Sequence, residues 1–163
     1  MSKIHIGSTE KRGACVIGAG LSGLIAIKYL KADGLDVLAV EAKGDIGGTW
    51  NKSQNREVTQ QGLKELYGSY MPEIYDNLNT NVHHVFMTFR DMPLRNVAPT
   101  TVVTSAEFYQ HVHEYADRFK LKERILFNKL VSKIRLTSNL TTEQIKHYNL
   151  SKVDLSYRYI ISI

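Results

Sequence analysis

The chain has 163 residues, a length typical of a single domain. With 43% hydrophobic residues it can bury a proper core, and no apolar run approaches the ~18 residues that a membrane-spanning helix needs. The formal net charge is +5 at pH 7, but acidic residues interrupt the basic ones, so a solvated face is favoured over a nucleic-acid-binding surface.

The N-terminal residues 1–12 are polar and predict a loose lead-in, with no apolar stretch long enough for a secretory signal. Cys15 is the single cysteine, so the chain cannot form an internal disulfide. It lies in the first predicted strand, and we interpret it as a small core residue and not as a nucleophile. These features predict a cytoplasmic protein.

The first recognisable unit begins with an apolar run at residues 15–17, which predicts a short, buried parallel strand. Three glycines then follow with the spacing G-x-G-x-x-G, namely Gly18, Gly20 and Gly23. Apolar residues at helical spacing predict a helix that begins near Leu21 and ends at a polar stop before Gly34.

A second strand-like run at residues 35–40 ends at Glu41, which follows Gly18 by 23 positions. This spacing is near the ~20 expected for the acidic residue that holds a ribose. In such a unit Gly18 permits a tight turn, Gly20 lets the backbone approach a pyrophosphate, and Gly23 allows close helix–strand packing. The helix start attracts phosphate, whereas the carboxylate would repel a 2′-phosphate. The pattern therefore suits the AMP half of FAD or NAD, and not NADP.

The next motif is G-D-I-G-G-T-W at residues 44–50. The pair Gly47 and Gly48 lets the backbone bend and approach a ligand without interference from a Cβ atom. Trp50, the only tryptophan, offers a flat apolar surface and one N–H donor, and a core or lid role is an equally good interpretation. Residues 51–68 predict a polar loop with a helical turn, and residues 75–93 predict an irregular surface that lines something.

The best-defined helix outside this unit spans residues 104–119. Thr104 and Glu107 form a T-x-x-E capping box at its start. Its apolar stripe, which we interpret as core, consists of Phe108, Val112, Tyr115, Ala116 and Phe119. Further predicted elements are strands at 125–127 and 131–136, a short capped helix from 141, and strand-like composition at 153–163.

The histidine pairs do not predict a metal site. His83 and His84 lack a cluster of Cys, Asp or Glu that would complete one. His111 and His113 are two positions apart on the predicted helix, so they point to different faces.

Taken in order, G-A-G-L-S-G, Glu41, I-G-G-T-W, Y-x-x-L-x-T-N and F-x-D-x-P resemble the flavin-containing monooxygenase family, which is related to Baeyer–Villiger and N-hydroxylating flavoenzymes. The resemblance covers residues 13–136. It implies an α/β fold, a Rossmann-like FAD-binding domain with three layers around a central parallel sheet, followed by a divergent tail at 137–163. Two features depart from the family: Met92 stands where a second phenylalanine is usual, and His83-His84 replaces a pair that often contains proline or is small and polar.

In this family NADPH reduces FAD, O₂ adds at flavin C4a, and the hydroperoxide oxygenates a soft nitrogen or sulfur centre. The resemblance therefore implies FAD and NADPH as cofactors and a small amine, sulfide or ketone as substrate. It assigns Asn81 a role in positioning the oxygen-bearing flavin, although without the family Asn81 is better interpreted as an ordinary turn residue. The implied cofactor-binding residues are Gly18, Ala19, Gly20, Leu21, Ser22, Gly23, Glu41, Gly48, Thr49, Trp50, Thr80 and Asn81.

No glycine follows Gly68, so the sequence does not contain the second phosphate-binding turn of the family's NADPH domain. We therefore expect the amino-terminal FAD portion of a truncated monooxygenase, whether as a fragment, a shortened product or an incorrectly defined gene, with little NADPH-driven turnover of its own. The alternatives are a non-catalytic dinucleotide-binding or interaction remnant and the NAD-binding domain of a simple dehydrogenase. The G-G-T-W and T-N stretches argue against the dehydrogenase.

Overall fold

The structure is a computed structural model that describes residues 13–51, 74–75, 77–94, 102–147 and 159–162. Its strands and helices in chain order are β1 (Ala14–Ile17), α1 (Leu21–Ala32), β2 (Val37–Val40), α2 (Ser105–Arg118), β3 (Ile125–Leu126), β4 (Lys133–Leu136), α3 (Thr142–His147) and β5 (Tyr159–Ser162). The segments predicted as a loop at 51–68 and as a strand at 153–163 fall largely outside the described residues.

The first three strands form a parallel sheet in the order β1-β2-β3. β1 pairs with β2 from Ala14↔Val37 to Ile17↔Val40, and β2 pairs with β3 at Ala39↔Ile125. Parallel neighbours need a crossover, which α1 supplies between β1 and β2. This arrangement confirms the predicted α/β class with a parallel sheet. β4 and β5 form a separate antiparallel ribbon.

A single hydrophobic core joins the sheet to α1 and α2. The stripe predicted on α2 is buried at Phe108, Val112, Tyr115 and Ala116, and Phe119 packs against it half-buried. Leu24 and Ile27 of α1 are fully buried in the same cluster. Burying each of these larger side chains contributes about 1.5–3 kcal/mol, so the α1–α2 layer holds the sheet in place.

The predicted core position of Cys15 is wrong. The helices cover one face of β1, where Ala14 and Val16 pack against the core. Alternate residues of a strand point to opposite faces, so Cys15 and Ile17 lie on the other face, where both are exposed. Neighbouring atoms still cover part of the thiol, and this burial raises the pKa of Cys15, which disfavours the thiolate form.

The capping box at the start of α2 is confirmed. The Glu107 N–H donates to Thr104 Oγ1 at 3.2 Å, and Glu107 Oε2 accepts from the Thr104 N–H at 2.8 Å and from its hydroxyl at 2.7 Å. These bonds satisfy N–H groups that have no partner inside the helix.

We expect this capping box to stabilise the protein at neutral pH and to lose part of that effect in acid. The hydrogen bonds from Thr104, the hydroxyl first, lower the pKa of Glu107, so its contribution is present above the unfolded pKa and is lost as the pH falls through the folded one. Thr104→Ala should reduce the free energy of unfolding by about 1 kcal/mol at pH 7 and by less below about pH 4. Urea unfolding at both pH values checks this, with Thr104→Ser as the control that keeps the acceptor. Equal losses at both pH values would contradict it.

Candidate functional site

Two glycine-rich turns face each other beside the start of α1. Gly20 and Gly48 come so close that a Cβ atom on Gly48 would lie 3.0 Å from the Gly20 Cα. Both turns line a cleft of about 320 Å³, which is within the size range of small-molecule sites. It is lined by Ile17, Gly18, Gly20, Leu21, Ser22, Gly23, Gly47, Gly48, Thr49 and Trp50.

The first turn has the backbone geometry that the sequence predicted. Gly18 has φ +91, in the left-handed region that favours glycine. A Cβ atom on Gly23 would collide with the carbonyl oxygen of Gly18. The helix can therefore start directly above the end of β1 only because both positions are glycine.

The start of α1 has the chemical properties of an anion-binding site. Gly20 is the N-cap and provides no side-chain acceptor, and the first helical hydrogen bond is donated by Leu24 to the Gly20 carbonyl. The N–H groups before Leu24 thus have no acceptor within the helix. Within the first turn of α1 no acidic residue offsets the positive end of the helix dipole. Both features favour a bound anion at the cleft.

The carboxylate of Glu41 fastens the first turn to the end of β2. Glu41 is buried, and its Oε2 accepts from the Ala19 N–H at 2.6 Å while its Oε1 accepts from the Lys43 N–H at 2.8 Å. Each oxygen of a carboxylate has a second lone pair, so both can still accept from a further donor. The sequence pointed to Glu41 as a ribose ligand, but it did not reveal this backbone contact.

The second turn is held from two sides. The Gly47 N–H donates to the Ala19 carbonyl at 3.0 Å. The Lys43 ammonium donates to the carbonyls of Gly48 at 3.1 Å and Asn51 at 3.4 Å. Sequence reasoning missed Lys43, because its role depends on a fold that brings residue 43 back over the turn.

Trp50 lies at the edge of the cleft. Its ring packs edge-on against Phe108, with 4.5 Å between the centroids. Trp50 therefore combines the two interpretations that the sequence left open, since it packs against the core and lines the cleft.

Thr80 and Asn81 lie outside the set of residues that line the cleft. The Thr80 side chain is buried and holds its own loop, because Oγ1 donates to the Val82 carbonyl and accepts from the Val103 N–H, both at 3.1 Å. Asn81 is exposed. The structure thus groups the glycine, Thr49 and Trp50 positions and does not bring Thr80 and Asn81 into that group.

The F-x-D-x-P segment is anchored to both helices. Asp91 forms an ion pair with Lys28 of α1, and the Lys28 ammonium lies 4.3 Å from the centroid of the Phe119 ring. Phe89 stacks on Tyr115 with 3.8 Å between the centroids. His111 packs beside Phe89, whereas His113 packs beside Tyr109, so the two histidines do occupy different sides of α2.

Removal of Asp91 should cost more stability than removal of its partner charge. The Lys28 side chain is only 16% exposed, so Asp91→Ala leaves a largely buried ammonium unpaired, and we expect a loss of about 2–3 kcal/mol in the free energy of unfolding. Lys28→Met keeps the apolar stem against the aromatic rings and leaves the more exposed carboxylate, so its loss should be about 1 kcal/mol. Chemical unfolding of both variants tests the order, and the reverse order would contradict it.

Comparison with known proteins identifies the family. A profile described as Flavin-binding monooxygenase-like matches residues 10–147. The chain belongs to this family. Enzymes of the family depend on FAD and NADPH. The matched range begins before Gly13 and ends after Leu136, so it includes the whole segment over which the motifs resemble flavin-containing monooxygenases.

One relative resembles the chain in sequence, and two solved structures resemble it in fold. The chain is 31% identical to senecionine N-oxygenase of Tyria jacobaeae over 140 residues, which is 82% of this chain and 29% of that protein. The fold resembles S-allyl-L-cysteine S-oxygenase from Allium sativum, with a TM-score of 0.63 at 22% identity over 78% of this chain and 30% of that one. It also resembles an oxidized steroid monooxygenase bound to NADP, with a TM-score of 0.59 at 24% identity over 77% of this chain and 21% of that one.

The chain spans less than a third of the length of most curated relatives that it matches and 75% of one plant relative. Within the part of the chain that the structure describes, no helix combines the length and apolar character needed to cross a bilayer.

Proposed function

We propose that this chain forms the FAD-binding part of a flavin-dependent monooxygenase, which uses NADPH and O₂ to oxygenate a soft nitrogen or sulfur centre in a small molecule. The observation that carries the proposal is the cleft that Gly20 and Gly48 line together, with the open start of α1 at one side and the buried Glu41 close to the first turn. We assign residues 13–136 to this FAD-binding unit. The cytoplasmic location stays a prediction.

The residues present suit a dinucleotide diphosphate. Gly20 and Gly48 present no side chain to the cleft, so phosphate oxygens can approach the backbone N–H groups of α1. The N–H groups of Leu21 and Ser22 at the start of α1 have no acceptor within the helix, whereas Ala19 orients the same turn through its own bond to Glu41. Because the carboxylate keeps lone pairs on both oxygens, Glu41 can accept from ribose hydroxyls, and its charge disfavours a 2′-phosphate.

We assign the flavin side of the site to residues that follow the second glycine turn. Thr49 and Trp50 line the cleft on that side, and Trp50 adds an aromatic side chain that packs against Phe108. We place Asn81, with Thr80 beside it, near the flavin, because an amide can both donate and accept where charge changes sign during a reaction. When bound and reduced by NADPH, the flavin supplies the activated oxygen for transfer.

Titration of the purified chain with FAD tests the proposal through quenching of flavin fluorescence. We expect FAD to bind, ADP to compete, and NADP⁺ to compete at least about tenfold more weakly than ADP, because its 2′-phosphate meets Glu41. A chain that binds no FAD would contradict the proposal.

A negative charge introduced at the start of α1 distinguishes an effect on FAD binding from an effect on protein stability. Ser22 is exposed in the first turn, where an added carboxylate stabilises a helix but repels phosphate. Ser22→Asp should therefore weaken FAD binding at least about tenfold without lowering the free energy of unfolding. The matched control is Ser138→Asp, at an exposed serine outside the cleft, which should leave FAD binding unchanged. Equal effects of the two variants would contradict the location of the site.

A second candidate is a dinucleotide-binding module without turnover. It is favoured by the placement of Thr80 and Asn81, because neither residue lines the cleft in which the cofactor would bind. NADPH oxidation by the FAD-loaded chain separates the two candidates. Consumption of NADPH with formation of an oxygenated amine or sulfide supports the monooxygenase, and FAD binding with no NADPH consumption supports the module.

A further inference from the structure

A chain of polar contacts links α2 to the second glycine turn. The Tyr109 hydroxyl donates to Asp45 Oδ2 at 3.0 Å, across 64 positions of sequence. Asp45 Oδ1 accepts from the Ile46 N–H at 2.8 Å, which fixes the backbone directly before Gly47. His113 Nε2 lies 3.4 Å from the same Asp45 Oδ2, and the Lys122 ammonium lies 3.2 Å from His113 Nδ1.

The Tyr109 ring also supports the turn by contact. A Cβ atom on Gly47 would lie 2.7 Å from Tyr109 Cε2, so the ring closes the space behind this glycine. His113 packs edge-on against the ring, with 4.6 Å between the centroids, and limits its rotation. Gly47 is in turn bonded to Ala19, and Gly48 faces Gly20. A shift of Tyr109 would therefore be transmitted to both walls of the cleft.

We propose that Tyr109 is a positioning residue for the cofactor, which acts through Asp45 on the Gly47–Gly48 turn and so holds Gly48 against Gly20 at the cleft in which the dinucleotide diphosphate binds. This inference rests on the proposed FAD binding. Tyr109 does not line the cleft, so its effect is indirect.

The chemistry of the contact suits a fixed support. Burial, together with the hydrogen bond to Asp45 and its charge, raises the pKa of Tyr109, so the phenol stays an O–H donor at neutral pH and above. Asp45 then keeps both oxygens occupied, one by Tyr109 and one by Ile46. A hydrogen bond to a carboxylate is stronger than one between neutral groups, which favours a single orientation of the turn.

Trp50 supplies a direct readout of the turn. It is the only tryptophan in the chain and lies in the 3₁₀ turn Gly48–Trp50 that follows Gly47. Its fluorescence, and the quenching of that fluorescence by acrylamide, therefore report on the turn without any ligand. Quenching needs no FAD, so it can be measured whether or not the cofactor binds.

The test compares Tyr109→Phe with Tyr115→Phe. The two variants make the same change on the same helix, but Tyr115 stacks on Phe89 and does not contact Asp45. Tyr109→Phe should raise the Kd for FAD about tenfold and increase acrylamide quenching of Trp50, because the lost bond is to a charged group. Tyr115→Phe should change neither quantity. The double variant Tyr109→Phe/Asp45→Asn should raise the Kd for FAD no further than the weaker-binding of the two single variants, Tyr109→Phe and Asp45→Asn, because the two residues share one hydrogen bond.

The outcomes separate this inference from the proposed function. If wild type binds FAD and the Kd for FAD is the same in Tyr109→Phe and Tyr115→Phe, the positioning role is wrong. If wild type binds no FAD, the proposed function fails, and the Trp50 quenching alone then decides whether Tyr109 holds the turn. Unchanged quenching in Tyr109→Phe overturns the inference in either case.

Discussion

Glu41→Gln should remove measurable FAD binding and also weaken the fold. Glutamine offers one acceptor oxygen where Glu41 uses two, so the N–H of either Ala19 or Lys43 would face an NH₂ group. An unpaired buried donor costs about 1–3 kcal/mol, and we expect a loss of about 2–3 kcal/mol in the free energy of unfolding. Loss of two charge-assisted bonds to ribose, each about 1.5–3 kcal/mol, should raise the Kd for FAD at least about 100-fold.

Flavin fluorescence titration and urea unfolding measure the two effects separately. The matched control is Glu123→Gln, which removes the same charge from an exposed site outside the cleft and should leave both quantities unchanged. A Glu41→Gln protein that binds FAD as wild type does would show that the carboxylate does not hold the ribose. Weaker FAD binding with unchanged stability would instead show that the contacts with Ala19 and Lys43 contribute little to folding.

Local sequence pattern predicted the elements whose cause is local. The capping box of α2 depends on two residues three positions apart, and the end of α1 depends on Gly34, which has φ +81. Both were confirmed. The second strand was predicted two residues too early, because the prediction began at the apolar Leu35, whereas Leu35 and Asp36 are exposed and β2 begins at Val37. Such ends depend on where the neighbouring strand stops, which the pattern does not contain.

Several parts of the site that the sequence did not predict depend on contacts between distant residues. Cys15 was placed in the core because its neighbours are apolar, but only packing decides which face of a strand is covered. Tyr109 and His113 are one helical turn apart and so share a face of α2, which is a usable signal. Nothing in that spacing indicates Asp45 as their partner, because the fold alone brings the second glycine turn to α2.

Gly23→Ala should destabilise the protein even though alanine favours helices. In an open helix this substitution would stabilise by about 1 kcal/mol. Here the new Cβ atom would collide with the Gly18 carbonyl oxygen, which is backbone and cannot turn aside. The surrounding turn is also fixed, because the Gly18 N–H donates to the Val40 carbonyl at 2.8 Å and the Ala19 N–H donates to Glu41. Overpacking of this kind costs about 1–3 kcal/mol or more, so the collision outweighs the gain in helix propensity.

We expect a net loss of about 2–3 kcal/mol, which corresponds to a fall of about 5–10 °C in the midpoint of thermal unfolding for a chain of this size. The substitution also moves the helix start away from the turn, so FAD binding should weaken in parallel. Gly13→Ala is the control, since its nearest neighbours would be 3.4 Å from the new Cβ atom, an ordinary contact. Circular dichroism during heating measures the midpoint for both variants. If Gly23→Ala unfolds at or above the wild-type temperature, then α1 is not held against the first turn as closely as the cofactor site requires.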